Sequence, residues 1–561
     1  MPYRAPVSEL RFVLDHVVGF DRVAATDRFA EATPELVEAI LTEAGKLCEE
    51  VLAPLNRVGD QHPARLENGV VRTSPGFGEG FRAIADGGWL GMSADPDFGG
   101  MGLPIALTMA VNEMIGSACL ALQLNPLMTQ GQIEALEAHA SPEIRELYIP
   151  KLVSGEWCGT MNLTEPQAGS DVGALRSKAE PNGDGTYAVT GQKIYISWGD
   201  NDFSENICHL VLARLPDADE GTRGISLFMV PKRLPDADGN AGVANTLKVV
   251  SLEHKLGLHG SPTAVMQYDG ATGWLIGEAH RGMAAMFTMM NNARLGVGVQ
   301  GLSVAEAAMQ HAIGYAQDRK QGKTPADSAS GETGTILDHA DVRRMVLSMK
   351  ADTFATRALA MDCAVSLDMA KATGDAGWAA RGAFLTPIAK AFGTDTGIRV
   401  AGEGIQVHGG MGFVEETGAA QYLRDVRVTA IYEGTNGIQA MDLVGRKLMD
   451  GGVAAFALLD ELDATDHAGL RAAIADLRSL TEWMVAQDMQ DRFAGAVPYL
   501  SAFARVLGAA YHLRAAAADP VRAPLARVAV GRMLPEALSE MAKARLGAEE
   551  LYAVSSDVIA A

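Results

Sequence analysis

The sequence predicts a mainly helical protein with a central β domain. Three observations carry that expectation. Residues 36–155 read as apolar runs at helical spacing, broken by one Gly-rich loop. Residues 157–280 break into short segments rich in Val, Ile, Leu and Tyr, separated by turn signals. Helical periodicity then returns at Arg281 and runs to the C-terminus.

Taken in order, Thr33-Pro34-Glu35 supplies an N-cap followed by Pro at the first helical position, which predicts a helix over 36–51. A second helical run spans 109–140, and the Gly-rich 91–103 between them is a loop. Strands are predicted over 186–190, 193–197, 209–214 and 225–230, with more between 247 and 276. Turn signals such as Asn182-Gly183-Asp184-Gly185 and Thr190-Gly191 separate them, predicting a small antiparallel barrel or sandwich. Long helices follow over 283–317 and 340–370, with an exposed loop at 322–334. A last helical block, 453–561, is rich in Ala, Leu, Arg and Glu. The expected domains are an arm (1–35), a helical domain (36–156), a β domain (157–280), a helical bundle (281–448) and an additional helical domain (449–561).

The 561 residues carry 47 Lys and Arg against 69 Asp and Glu, a net charge of −22. That balance argues against nucleic-acid binding, which needs a basic footprint, and against polybasic docking on an anionic membrane. Five cysteines (Cys48, Cys119, Cys158, Cys208 and Cys363) lie far apart, in neither a disulfide framework nor a metal-ligand spacing. With no secretory h-region and no run of 18 apolar residues, a reduced cytoplasm and no membrane span are expected. No metal site is expected: Glu253, His254 and His259 fit no ligand spacing and read as polar loop residues. Gly296, Gly298 and Gly301 spell a dinucleotide fingerprint, but they follow a helix rather than a strand, so close helix packing is expected instead. Gly322-Lys323-Thr324 lacks the first glycine of a phosphate loop, because Gln317 stands there.

Two segments carry chemistry. The first is Met161-Asn162-Leu163-Thr164-Glu165-Pro166-Gln167-Ala168-Gly169-Ser170-Asp171-Val172-Gly173, a polar loop whose hydroxyls and free N–H groups can grip a planar heterocycle and a carbonyl. Taken alone, it is also an ordinary turn. The second runs from Arg424 through an apolar stretch to Tyr432-Glu433-Gly434-Thr435-Asn436-Gly437, before a helix over 438–447. A carboxylate beside Ile431 and Tyr432 would have its charged form disfavoured, as suits a general base. It could equally be an acid placed against a helix dipole.

Together, in this order and flanking a β and a helical domain, the two segments resemble the acyl-CoA dehydrogenase family. Gly99-Gly100-Met101-Gly102, Gly191-Gln192-Lys193-Ile194-Tyr195-Ile196-Ser197, Tyr315 with Arg319, and Gln406-Val407-His408-Gly409-Gly410-Met411-Gly412-Phe413 agree, so the likeness covers about 36–447. It implies a helical N-domain, a β-barrel middle domain and a four-helix-bundle C-domain, here with an extra C-terminal helical domain. It also implies an FAD-dependent enzyme that turns an acyl-CoA thioester into a trans-2-enoyl-CoA and hands electrons to electron-transfer flavoprotein. An oxidase and a non-catalytic acyl-CoA-binding scaffold are the alternatives.

By the same resemblance Glu433 is the base that removes the α-proton. Leu163, Thr164, Ile196, Ser197 and Thr435 would touch the flavin. Arg319, Gln406 and Gly410 would hold the pyrophosphate and adenosine part of a neighbouring subunit's flavin, implying a homo-oligomer, with a dimer favoured. Ser170, Asn291 and Arg294 would contact the CoA portion. The sequence departs from the family pattern at Tyr195, at Ser197, at Gly437 and after Arg319, where Lys320-Gln321-Gly322 lacks the usual aromatic. The segment 289–294 (Met-Met-Asn-Asn-Ala-Arg), the loop near Ser330, the N-terminal arm and the extra domain resemble a longer bacterial branch of the family, implying a methylthio-bearing acyl chain or, as the alternative, a plain short or medium one.

Overall fold

The β-rich texture after residue 156 becomes a closed sheet. The computed structural model describes residues 3–325 and 334–561. Part of the expected loop at 322–334, with Ser330, and the arm's first two residues lie outside them. Seven strands form the main sheet: β1 (Trp157–Asn162), β2 (Lys178–Pro181), β3 (Tyr187–Ser197), β4 (Asn206–Arg214), β5 (Ile225–Pro231), β6 (Leu247–Leu252) and β7 (Thr263–Ile276). Pairing runs β7-β3-β2-β4 and returns through β5 to β7, with β6 and β1 on the flanks. Most pairs are antiparallel, as expected, but β1 runs parallel to β4, Trp157 opposite Asn206, and so does β2 where Lys178 meets Arg214. Val189, Ile196, Val211, Phe228 and Tyr268 fill its interior, each 2% exposed or less.

Thr190-Gly191 proves to be no turn; β3 runs straight through it. Gly191 has φ +153, and a Cβ there would lie 2.2 Å from the Ser177 hydroxyl oxygen. Glycine is present because two segments touch, not because the chain reverses.

The chain divides into two compact units: Met1–Gly45, Pro104–Ser117 and Arg294–Ala561 in one, Lys46–Leu103 and Ala118–Ala293 in the other. Two of the four boundaries fall inside long helices, α1 (Ile105–His139) and α2 (Gly282–Asp318). The backbone of α1 leaves helical geometry at Cys119 (φ −156, ψ 90). This helix is long and apolar enough to cross a membrane, but 94% of its most apolar window is buried in the protein, as in a core helix.

In the first unit the helices α3 (Ala340–Thr373) and α4 (Ala376–His408) pack with α2. Gly298 and Gly301 face α4 so closely that a Cβ would lie 2.7 Å from the Ala389 carbonyl oxygen and 2.3 Å from that of Gly393. The letters of a dinucleotide fingerprint are thus a helix crossing.

The same unit buries a charged triad. The Arg357 guanidinium donates to Glu113 at 2.5 Å and to Glu306 at 2.6 Å. All three side chains are nearly inaccessible. The N-terminal arm joins the C-terminal block through Arg522, which donates to both oxygens of Glu9 at 2.9 and 2.7 Å and lies over the Phe12 ring.

Replacing Arg357 with Met should lower unfolding free energy by about 3–5 kcal/mol, because it strands two buried carboxylates. Replacing the exposed Arg344, paired with Asp341 at 2.8 Å, should change it by less than about 1 kcal/mol. Denaturant midpoints measure both, and equal midpoints would refute the ranking.

Candidate active site

Glu433 sits in a turn that few residues other than glycine tolerate. Its φ is +55, and that of Gly434 is +80, so two successive residues are left-handed. For a side-chain-bearing residue this costs about 1–2 kcal/mol and persists only where the surroundings hold it. Helix α5 (Asn436–Gly445) starts immediately after, capped by Thr435, whose hydroxyl accepts from the Ile438 N–H at 3.2 Å.

Part of the Glu433 surface remains open, yet burial of the carboxyl pushes its pKa up to about 7, against the pull of Arg294 and then Lys390. The direction matches the sequence expectation, but its source differs. Ile431, expected to shield the carboxylate, is 52% exposed. Tyr432 is half-buried and donates its hydroxyl to Gln300 Oε1 at 2.5 Å. Protein on several sides, rather than one apolar neighbour, desolvates the group.

Two cations face this carboxyl. Arg294, only 7% exposed, lies 3.8 Å from Asp442, which Arg446 also engages. Expected to contact the CoA portion, its guanidinium lies inside the bundle beside Glu433 and Asp442. Lys390 is fully buried and donates to the Gly434 carbonyl at 2.8 Å and to Asn436 Oδ1 at 3.0 Å. Burial lowers its pKa to about 8, against the pull of Glu433 and Asp395.

The polar loop lies in the other unit and is described on its own. It leaves the end of β1 and is clamped beneath by an interior ion pair. Lys193, inaccessible on β3, donates to Glu165 Oε1 at 2.8 Å and to the Leu163 carbonyl at 3.0 Å. Glu165 also accepts from the Ser177 hydroxyl at 2.6 Å and the Arg176 N–H at 2.7 Å. Burial alone would raise this carboxyl, but Lys193 and those donors hold it well below its usual range. The Ile194 N–H meets the Thr164 carbonyl at 2.9 Å, tying loop to strand.

That leaves Thr164 and Ser197 with hydroxyls that make no hydrogen bond among the described residues, and Leu163 packed on the interior. Beside them Tyr195 takes φ +61 and is 62% exposed, a flat ring turned outward at the cost of backbone strain. An aromatic face with adjacent free hydroxyls fits a planar heterocycle such as a flavin ring. Ile196, expected among those contacts, has its side chain in the barrel core at 2% exposure, since neighbours on a strand face opposite ways.

Ser170 is exposed on the loop, and Asn291 is exposed on α2. Arg319, Gln406 and Gly410 are likewise exposed. The Tyr315 and His408 rings lie 4.5 Å apart, which brings the ends of α2 and α4, and these three residues, to one edge of their unit. A cavity of about 180 Å³ beside α5 is lined by Asp395, Arg399, Asn436, Leu500 and Arg505. Its two guanidiniums are already engaged, Arg399 with Asp352 and Arg505 with Glu536, both at 2.9 Å.

Sequence reasoning missed Lys390, Gln439 and the Glu165–Lys193 pair. The signal was available: Lys390 interrupts an apolar helix stretch, and Lys193 an alternating strand, where a lone ammonium must be buried with partners. Replacing Lys193 with Met should strand the Glu165 carboxylate and cost about 3–5 kcal/mol. Limited proteolysis should then cut first within residues 161–173, and adding Glu165→Gln should restore part of the loss. A protease-resistant single variant would refute the clamp.

The three segments match family models for the acyl-CoA dehydrogenase N-terminal domain over residues 34–156, middle domain over 160–271 and C-terminal domain over 280–449. The chain is 45% identical over 520 residues to 3-methylmercaptopropionyl-CoA dehydrogenase of Ruegeria pomeroyi, covering 89% of this chain and 88% of that one. It is 36% identical over 463 residues to a butyryl-CoA dehydrogenase of Syntrophomonas wolfei, covering 79% and 75%. Among solved structures, an acyl-CoA dehydrogenase from Bacillus anthracis complexed with FAD shares the fold, with TM-score 0.76 and 20% identity over 99% of this chain and 93% of that one. With a desolvated glutamate in a left-handed turn, a hydroxyl-bearing loop on a β barrel, and these matches along its length, the chain belongs to the acyl-CoA dehydrogenase family.

Proposed function

We propose that the protein is an FAD-dependent dehydrogenase that converts a short acyl-CoA to its trans-2-enoyl-CoA, with 3-methylmercaptopropionyl-CoA yielding 3-methylthioacryloyl-CoA as the preferred reaction. The observation that carries the chemistry is the Glu433 carboxyl, desolvated to a pKa of about 7 in a strained turn. The preferred substrate follows from the 45% identity to the Ruegeria enzyme of that name. A methylthio group and a methylene are similar in bulk, so packing separates them by only about 1–3 kcal/mol, and plain short chains should react too.

Glu433 acts as the general base. The α-proton of a thioester is weakly acidic, so the base gains from a pKa near the working pH. The proton passes to the Glu433 carboxyl as charge develops on the thioester oxygen. Closing water out of the site strengthens each interaction that stabilises this charge. FAD, when bound, supplies the acceptor for the β-hydride. Leu163, Thr164, Ile196, Ser197 and Thr435 would hold the flavin, while Ser170, Asn291 and Arg294 would meet the CoA portion. Arg319, Gln406 and Gly410 serve the flavin of a second copy in a homodimer. Electrons leave to electron-transfer flavoprotein. A cytoplasmic setting accords with five buried cysteines, none of them in a disulfide.

Anaerobic titration with a panel of acyl-CoAs, following flavin absorbance, tests cofactor, chemistry and substrate together. The methylthio compound should bleach the flavin fastest, and a protein that binds no flavin would overturn the reading. Peroxide formation in air without another acceptor would make it an oxidase. Glu433→Gln should retain FAD and reduce it at least about 1,000-fold more slowly, because proton abstraction has lost its base. Since the carboxylate is the active form, the reduction rate should rise with pH through about 7. A rate that falls across that range would remove Glu433 from the mechanism.

A further inference from the structure

The Glu433–Gly434 turn is held through its carbonyls from inside the bundle. Gln439 donates its amide to the Glu433 carbonyl at 3.0 Å, and Lys390 its ammonium to that of Gly434 at 2.8 Å. Lys390 also grips Asn436 Oδ1 at 3.0 Å, and Asn436 in turn donates to Thr394 Oγ1 at 3.0 Å and Asp395 Oδ1 at 2.7 Å. The Glu433 end of the turn is therefore anchored by α5 and the Gly434 end by one side chain of α4.

Lys390 is fully buried, and among the described residues it hydrogen-bonds only neutral oxygens. A buried ammonium without an anion in its field would be costly. The charged groups that face it are Glu433, Asp395 and Arg294. Those that face Glu433 are Arg294 and Lys390, and Arg294 is itself faced by Asp442 and Arg446. Tyr432, the remaining titratable neighbour of Glu433, is bound to Gln300 and kept neutral by burial.

We propose that Lys390 is a positioning residue for proton abstraction, which fixes the left-handed Glu433–Gly434 turn through the Gly434 carbonyl and acts as the countercharge of the Glu433 carboxylate. The proposal rests on the reading of Glu433 as base. The geometry explains why the cation stands one residue away. A lysine in direct contact with the carboxylate would hold its pKa down by about 1–3 units and make a poor base at neutral pH. Bonded instead to the next carbonyl, Lys390 supplies charge without a salt bridge and spends its donors on the strained backbone. As Glu433 takes the α-proton, its charge falls to zero and the ammonium keeps only Asp395 as a facing anion, so Lys390 favours the ionised resting base.

Two variants separate charge from anchoring in the holoenzyme. Lys390→Gln keeps a donor but removes the charge, and Lys390→Met removes both. In each, the pH midpoint of anaerobic flavin reduction should rise by about one unit, because the carboxylate has lost a nearby cation. The maximal rate at high pH should fall less than about 3-fold in Lys390→Gln but about 10–100-fold in Lys390→Met, as expected when a base loses its alignment. Gln439→Leu, which alters anchoring alone, should lower the plateau and leave the midpoint in place.

The second readout is the infrared band of the protonated Glu433 carboxyl, assigned by its absence from Glu433→Gln and titrated with pH. Its midpoint should move upward in both Lys390 variants. Should Glu433→Gln reduce flavin at the wild-type rate, the base assignment fails, while this band still decides whether Lys390 is the countercharge. Midpoints unchanged in both variants, by either readout, would overturn the proposal and leave Lys390 a purely structural residue. If neither variant folds, Asp395→Asn decides: removing the anion that competes for Lys390 should lower the midpoint, and an unmoved midpoint would overturn the proposal.

Discussion

The crossing of α2 and α4 is the constraint on which the catalytic arrangement depends. At Gly298 and Gly301 on one helix, and Gly393 and Gly397 on the other, an added Cβ would come within 2.3–2.7 Å of a carbonyl oxygen of the opposite helix. The helices therefore touch by their backbones, and any larger side chain would drive them apart. Arg294 stands one turn before Gly298, and Lys390 almost one turn before Gly393. Bringing the two backbones together brings these two cations to the same carboxyl. The glycines act at a distance from the chemistry, by fixing how far apart its charges are.

With that spacing set, the state of Glu433 is a contest between burial and charge. Burial alone would neutralise the carboxyl, and two close guanidinium or ammonium partners would hold it permanently ionised. Neither extreme suits a group that must gain and lose a proton on each turnover. The structure gives the first effect the upper hand, since the carboxyl titrates near 7 despite two cations in its field. Arg294 is partly spent on Asp442 and Lys390 on the backbone, so each acts on Glu433 from a step away. Asp368 makes a useful contrast. Burial lifts this fully enclosed carboxyl to about 7 as well, but both its oxygens accept N–H groups at the start of α1, at 2.7 and 2.9 Å. Its work is to cap a helix, which shows that a raised pKa identifies a base only where the group is also free to receive a proton.

Much of this was legible in the sequence, for reasons that can be named. Apolar periodicity marked the long helices because each buries a continuous face, and Glu433 stood out as a lone carboxylate in a Gly-rich turn at the end of an apolar run. Periodicity cannot report direction around a barrel, so the parallel pairing of β1 with β4 was invisible. Alternation along β3 puts Ile196 and Ser197 on opposite sides, but the left-handed Tyr195 just before them disguises the register. The pairing of Arg294 was equally invisible, because its partner Asp442 lies 148 residues away in sequence. Contacts of that separation leave no local trace.

The block after Leu448 looked like an addition with no catalytic part, and the structure ties it to the base. Helix α6 (Ala496–Ala518) and helix α7 (Ala523–Ala544) pack on α3 and α4. Tyr511 donates to Asp362 Oδ2 at 2.6 Å, where Arg381 also donates at 2.8 Å, and Arg532 engages Asp352. Closer to the site, Arg492 reaches the Val444 carbonyl at 3.4 Å, at the last turn of α5, and a Cβ on Gly445 would meet the Phe493 ring at 3.1 Å. Helix α5 begins at the catalytic turn, so pressure on its far end limits how the turn can move. The N-terminal arm closes the same assembly from the other side through Glu9 and Arg522. A strained turn at Glu433 needs a rigid frame to keep it strained, and here the frame extends well past the three segments that define the family.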